Sequence, residues 1–170
     1  LVTGASDGIG AEFIQILASR GYDLILVARS EDKLNQLAVK VGGQFGVNCT
    51  VIVADLSEPN AAQNLFQSIE AKGLDVDFLI NNAGLLHNGF FTELNLAEQE
   101  RMIVVNVLAL TSLTHLYANN MASKGGGHIL NVASLAGWMA IPNQNVYAAT
   151  KAYVLAFTQA LSNEMVAADS

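Results

Sequence analysis

The chain has a single cysteine, Cys49, among its 170 residues. That excludes an internal disulfide and fits a reducing, cytoplasmic setting. Cys49 opens an apolar strand pattern and reads as core filler. Basic residues are also scarce: eight scattered lysines and arginines face fifteen acids, for a net charge of −7. Such a balance argues against nucleic acid, which asks for a basic patch. No apolar run reaches the ~18 residues expected of a membrane-spanning helix. The three histidines, His87, His115 and His128, do not fall at ligand spacing with Cys49 or the acids, so no metal site is expected. Repeats, linkers and low-complexity tracts are absent too.

What is present is apolar: 52% of the residues are hydrophobic, enough for one sizeable core in a single α/β domain spanning residues 1–170. Strand patterns at residues 1–2, 23–28, 50–54, 77–80 and 128–132 alternate with helical ones. The first helix follows Gly10, ends near Gly21 and carries apolar positions at Ile9, Phe13, Ile14, Ile16 and Leu17. Further helices are predicted over residues 30–41, 58–72, 96–123 and 145–166. Gly42, Gly43 and Gly46 are expected to turn the chain into the third strand, and residues 85–95 to form a loop. This alternation predicts a doubly wound parallel sheet in three α/β/α layers, covered on both faces.

Two stretches carry chemistry. Thr3 to Gly10, TGASDGIG, joins a strand end to a helix. Gly4 permits the tight exit, Gly8 lets backbone approach a phosphate, and Gly10 allows close helix–strand packing. Ser6, Asp7 and Ile9 complete the loop. The helix that follows offers free N–H groups and its dipole to a pyrophosphate, although a glycine-rich turn can also be purely structural. The spacing is one residue longer than the common dinucleotide fingerprint. At the end of the second strand, where an acid would hold the ribose 2′-hydroxyl of NAD, stand Arg29 and Ser30. A guanidinium there suits a 2′-phosphate and points to NADP(H) over NAD(H). Glu31 and Asp32 charge the first turn of the next helix.

The other stretch runs from Ser134 to Lys151. Tyr147 and Lys151 are four apart in an alanine-rich segment, so a helix puts them on one face, about 5–6 Å apart at Cβ. A free phenol titrates near ~10. An ammonium ~4 Å away, at an effective dielectric of ~20, is worth about 4 kcal/mol toward the phenolate. The pair therefore fits a general acid/base near neutral pH, with Ser134 able to hydrogen-bond the same substrate oxygen. A tyrosine and lysine at this spacing can equally be solvated on a helix surface. Asn106 lies in an otherwise apolar helical stretch, VVNVLAL, where a buried amide must find partners.

Together these residues resemble the short-chain dehydrogenase/reductase family, in its TGxxxGxG group. The resemblance covers the whole chain in the family's order: TGASDGIG at 3–10, Asp55-Leu56, NNAG at 81–84, Asn106, Ser134 and Tyr147-x3-Lys151. It implies a sheet order of 3-2-1-4-5 and hydride transfer between NADP(H) and a small-molecule carbonyl or secondary alcohol. By that resemblance Tyr147 is the general acid/base and Ser134 positions the carbonyl oxygen. Lys151 lowers the tyrosine pKa and holds the ribose, and Asn106 holds a water in a proton relay. The cofactor would lie against Gly4, Ser6, Asp7, Gly8, Ile9, Gly10 and Arg29, with Asp55 and Leu56 at the adenine. Asp55 could also cap the next turn. Asn82, Ala83 and Gly84 would line the cofactor too, while Asn81 ties neighbouring strands.

Asp7 departs from the pattern, since many NADP-preferring relatives carry a basic residue at its position. LILVARSEDKL and NVLALTSLTHL resemble a subgroup of carbonyl, ketoacyl and steroid reductases. His87 falls near the implied substrate side. Trp138 and Met139 would wall the pocket or join an interface, because the family commonly forms homodimers or homotetramers through two long helices. A non-catalytic NADP-binding sensor or scaffold, and an epimerase or dehydratase on the same fold, are the alternatives. The intact set of four residues argues against the sensor. The chain opens inside a strand without an initiator methionine, and relatives continue past the last helix. A fragment truncated at both ends is therefore expected, with strand five as an unpaired edge.

Overall fold

Every residue of the strand Leu24–Ala28 is buried, and burial on both faces is what makes a parallel strand read as an unbroken apolar run. The computed structural model describes residues 1–168. Five parallel strands, β1 (Val2–Thr3), β2 (Leu24–Ala28), β3 (Cys49–Val53), β4 (Phe78–Asn81) and β5 (His128–Asn131), lie in the order β3-β2-β1-β4-β5, as expected. Val2 pairs with Leu26 on one side and Ile80 on the other. Side chains alternate between two cores. Ile25 and Val27 join Leu65, Ile69, Leu113 and Tyr117 under α3 (Ala61–Ala71) and the later α5 (Leu110–Ser123). Leu24 and Leu26 join Ile14, Leu34 and Val41 under α1 (Gly8–Ser19) and α2 (Glu31–Phe45).

Two expectations are corrected. Of the apolar positions of α1, Ile14 is buried and Phe13 and Leu17 pack on the core as expected, but Ile9 and Ile16 are 62% and 48% exposed, and Gly10 and Ala18 are buried as well. The helix approaches the sheet most closely at Gly10, where no side chain would fit. Gly42 and Gly43 lie inside α2, and only Gly46, at φ 72°, turns the chain as the left-handed cap. The amphipathic pattern outweighed the glycine penalty there.

The helix over residues 96–123 is continuous but not uniform. α4 (Leu96–Ile103) passes through a π-helical segment, Val104–Ala109, into α5. The whole helix is long and apolar enough to cross a membrane by composition, with a window of mean hydropathy 1.3. Its residues Leu113, Tyr117 and Met121 are buried against the sheet, while Ile103 and Leu108 stay exposed, and 44% of the window is buried. The last helix, α6 (Asn145–Ala168), packs on α4, the π segment and a short 3₁₀ turn, Leu135–Trp138.

Glycine placement gives a stability test. A Cβ at Gly10 would lie 2.1 Å from the Gly4 carbonyl oxygen, whereas one at Gly43 would meet nothing within 4 Å. Gly10→Ala should therefore cost about 1–3 kcal/mol through overpacking. Gly43→Ala, on exposed helix, should stabilise by about 0.5–1 kcal/mol. Urea midpoints of the two variants check this, and equal midpoints would contradict the close helix–sheet approach.

Candidate active site

The glycine loop is held from the neighbouring strand. Asn82 Nδ2 donates to the carbonyls of Thr3 and Gly4 at 3.1 and 3.2 Å. The backbone N–H groups of Asn82 and Ala83 donate to Thr3 Oγ1 at 3.1 and 3.0 Å. Ala5 N donates to Val27 O at 3.1 Å, tying the loop to the end of β2. Gly4 turns at φ 65° with its α-carbon pressed on Ala83, where a Cβ would be 2.9 Å from Ala83 Cα. Gly8, at φ 51°, faces open space.

A cleft of about 690 Å³ opens beside this loop. Gly4, Ser6, Asp7, Arg29, Asp55, Leu56, Asn82, Ala83 and Gly84 line it. Gly8 and Gly10 shape the loop behind that surface, and Ile9 points to solvent on the first turn of α1. Asp55 caps the turn after β3: its Oδ1 accepts from Ser57 N at 2.9 Å and from Ser57 Oγ at 2.6 Å. Arg101 of α4 donates to Asp55 Oδ2 at 2.7 Å and to Ser57 Oγ at 2.9 Å. Burial alone would raise the Asp55 pKa. The Ser57 hydrogen bonds and the Arg101 and Arg29 guanidiniums outweigh it and hold the carboxyl below its ordinary range.

At the far end of the cleft, Gly84 meets α6. A Cβ there would lie 3.4 Å from Asn106 Oδ1 and 3.6 Å from Lys151 Nζ. Lys151 is 5% exposed and donates to Val132 O at 2.8 Å. Burial pushes its ammonium pKa down. Its Nζ lies 5.8 Å from the centre of the Tyr147 ring. Ser134 begins the 3₁₀ turn, its Oγ accepting from Ala136 N at 3.1 Å. The hydroxyl hydrogen stays free to donate. Gly137 presses that turn onto α6: a Cβ there would be 2.7 Å from Lys151 O.

Asn106 sits inside the π segment and is fully buried. Its Oδ1 accepts from Leu85 N at 2.8 Å, while Nδ2 donates to Leu85 O at 2.9 Å and Thr150 Oγ1 at 3.1 Å. Thr150 in turn donates to Tyr147 O at 2.7 Å. The side chain thus braces the loop after Gly84 against α6, the local partners a buried amide needs. π-helical turns recur at such functional positions. Asn81 bonds Asn131 across the β4–β5 pair at 2.9 Å and Thr114 at 3.0 Å, and so joins strands and α5.

Sequence reasoning missed Lys33, Arg101, Thr150 and Gly137. Each acts across elements, where spacing along the chain gives no signal. His87 Nδ1 stands 3.7 Å from Glu98 Oε2, and Trp138 and Met139 line a separate apolar cleft with Ala148, Ala149 and Ala152. Among the described residues no group of acids, histidines or cysteine could hold a metal.

The residues fit a dinucleotide. Asp7, at the N-cap of α1, makes no side-chain cap, and the first turn contains no acid. The N–H groups there remain available to a pyrophosphate beside the open Gly8. Arg29 lines the cleft, and Lys151 stands against Gly84.

Comparison with known proteins agrees with this geometry. The sequence matches the family described as short chain dehydrogenase over residues 1–168. It is 35% identical to a very-long-chain 3-oxoacyl-CoA reductase of Anas platyrhynchos, over 96% of this chain and 54% of that protein. A 7beta-hydroxysteroid dehydrogenase of Collinsella aerofaciens is 35% identical, over 96% and 62%. Among solved structures, a short-chain dehydrogenase from Sphingobium yanoikuyae in complex with NADPH superposes with a TM-score of 0.90 at 36% identity, over 96% of this chain and 64% of the other. The chain spans about half the length of the 3-oxoacyl-CoA reductases it matches, 54% and 53% for two of them.

Proposed function

The chain belongs to the short-chain dehydrogenase family, and on that premise we propose that it is an NADP(H)-dependent oxidoreductase acting on a carbonyl or secondary alcohol. One observation carries the reading: Gly84 lines the cleft, and a Cβ built on it would lie 3.4 Å from Asn106 Oδ1 and 3.6 Å from Lys151 Nζ. Ser134, Tyr147, Asn106 and Lys151 do not line the cleft themselves, and the contact at Gly84 supports reading cleft and α6 as one site. The relatives named above, an oxoacyl-CoA reductase and a hydroxysteroid dehydrogenase, act on this kind of functional group.

Bound in the cleft, a nicotinamide supplies or accepts the hydride. In the reductive direction Ser134 donates a hydrogen bond to the carbonyl oxygen and Tyr147 gives it a proton. Lys151, with one donor committed to Val132 O, directs its others toward the tyrosine and the cofactor ribose. Asn106 and Thr150 hold α6 at the distance this requires. A positioned general acid contributes about 10²–10⁴-fold.

Cofactor choice tests the adenine end. Arg29 lines the cleft where an acid would favour NAD. The enzyme should prefer NADPH to NADH, and Arg29→Ala should shrink that preference about tenfold, near the lower limit for a charge-assisted hydrogen bond because the side chain is exposed. The measurement is kcat/KM with each cofactor. Preference for NADH in the unmutated protein would refute the assignment.

A further inference from the structure

We propose that Lys33 is a positioning residue that keeps the Asp7 carboxylate off the N-terminus of α1, and so keeps that terminus open to the cofactor pyrophosphate. The inference rests on the dinucleotide-binding reading above.

Asp7 has the backbone of a capping residue, extended at φ −150° and ψ 165°. From that position an aspartate side chain ordinarily accepts from the second or third helical N–H, here Ile9 or Gly10. Aspartate is among the strongest caps, yet Asp7 makes no such bond. Its carboxylate is turned to Lys33, whose Nζ donates to Asp7 Oδ2 at 2.8 Å from the first turn of α2, 26 residues further on. Both side chains are more than half exposed, at 55% for Lys33 and 69% for Asp7. An exposed pair of this kind adds little to folding, so stability does not account for it.

Its location does. Lys33 and Asp7 both line the dinucleotide cleft, with Arg29 between them along the chain. A carboxylate folded back onto Ile9 or Gly10 would occupy the N–H groups a pyrophosphate needs. It would also set a negative charge beside an anionic ligand, which repels it. The Lys33 ammonium prevents both by holding the carboxylate sideways. Gly8, left-handed and without neighbours, leaves the approach clear. The acid at position 7, which looks adverse to a phosphate site, is thereby made harmless by a lysine from another helix.

The test is a four-way comparison of dissociation constants for NADPH and for NADH, titrated by fluorescence: the unmutated protein, Lys33→Met, Asp7→Ala and the double variant. Lys33→Met frees Asp7 to cap α1, so both cofactors should weaken roughly tenfold, the size of a cap the ligand must displace. Asp7→Ala removes the carboxylate and should bind both at least as tightly as the unmutated protein. The double variant should recover the affinity that Lys33→Met lost. A loss confined to NADPH would instead make Lys33 a direct 2′-phosphate contact and overturn the proposal. So would a loss that persists in the double variant, or no loss at all. If the unmutated protein bound neither cofactor, the dinucleotide reading itself would fall, and this inference with it.

Discussion

Tyr147→Phe is expected to lower kcat by about a thousandfold, within the 10²–10⁴ range for a lost general acid, while NADPH affinity stays within about twofold. The expectation follows from what the hydroxyl does and does not touch. Among the described residues no hydrogen bond reaches the Tyr147 phenol oxygen; the one side-chain bond to this residue is Thr150 Oγ1 donating to its backbone carbonyl. Its phenol oxygen braces nothing, so removing it orphans no buried partner and leaves the fold intact. The ring keeps its place beside Lys151. Thr150 and Asn106 keep α6 anchored to the loop after Gly84. Only the transferable proton is lost. Single-turnover kinetics with a ketone substrate, alongside NADPH titration, separates chemistry from binding. Turnover within tenfold of the unmutated enzyme would mean that another group delivers the proton.

The alternation of layers could be read from the chain because it depends on local signals, whereas the strand order 3-2-1-4-5 was implied by the family resemblance. β2 is apolar throughout, and TGASDGIG punctuates strand from helix. The glycine positions were legible for the same reason: Gly4 and Gly8 adopt left-handed backbone, a property of the residue itself. What could not be read is tertiary. Gly42 and Gly43 read as a turn, but the helix face that buries Leu34 and Val41 carries through them. Asn106 was marked by its polarity, yet nothing in the apolar run VVNVLAL marks the π segment around it. Lys33 reaches Asp7 across 26 residues and Arg101 reaches Asp55 across 46. Charge pairs of that separation leave no periodic trace. Many of the residues that line the cleft, from Gly4 to Gly84, were therefore legible, and their bracing was not.

Lys151→Met should abolish turnover and weaken NADPH, yet leave the protein at least as stable at neutral pH. Lys151 is nearly inaccessible, and burial alone pushes its pKa below 10.5. Among the described residues no carboxylate pairs with it; its one hydrogen bond goes to Val132 O. Taking an ammonium out of water costs several kcal/mol after relaxation. Methionine has similar length and no charge; it gives up the donor to Val132 O, about 1–3 kcal/mol, and the ammonium's contact with the Tyr147 ring face, about 0.5–2 kcal/mol. The balance favours the variant or leaves it even. The sign of the pH dependence follows from the lowered pKa. Between the folded value and 10.5 the unfolded chain binds more protons than the native one, so the unmutated protein gains stability as pH rises through that window. The methionine variant lacks this gain. Its advantage should be largest near neutral pH and shrink toward pH 10.5, as read from urea midpoints across the alkaline range. A variant that is markedly less stable at pH 7 would assign the lysine to the fold. One that is stable and still turns over would remove it from the chemistry. Loss of activity with stability retained is the result expected of a charge kept in a dry site for the reaction it serves.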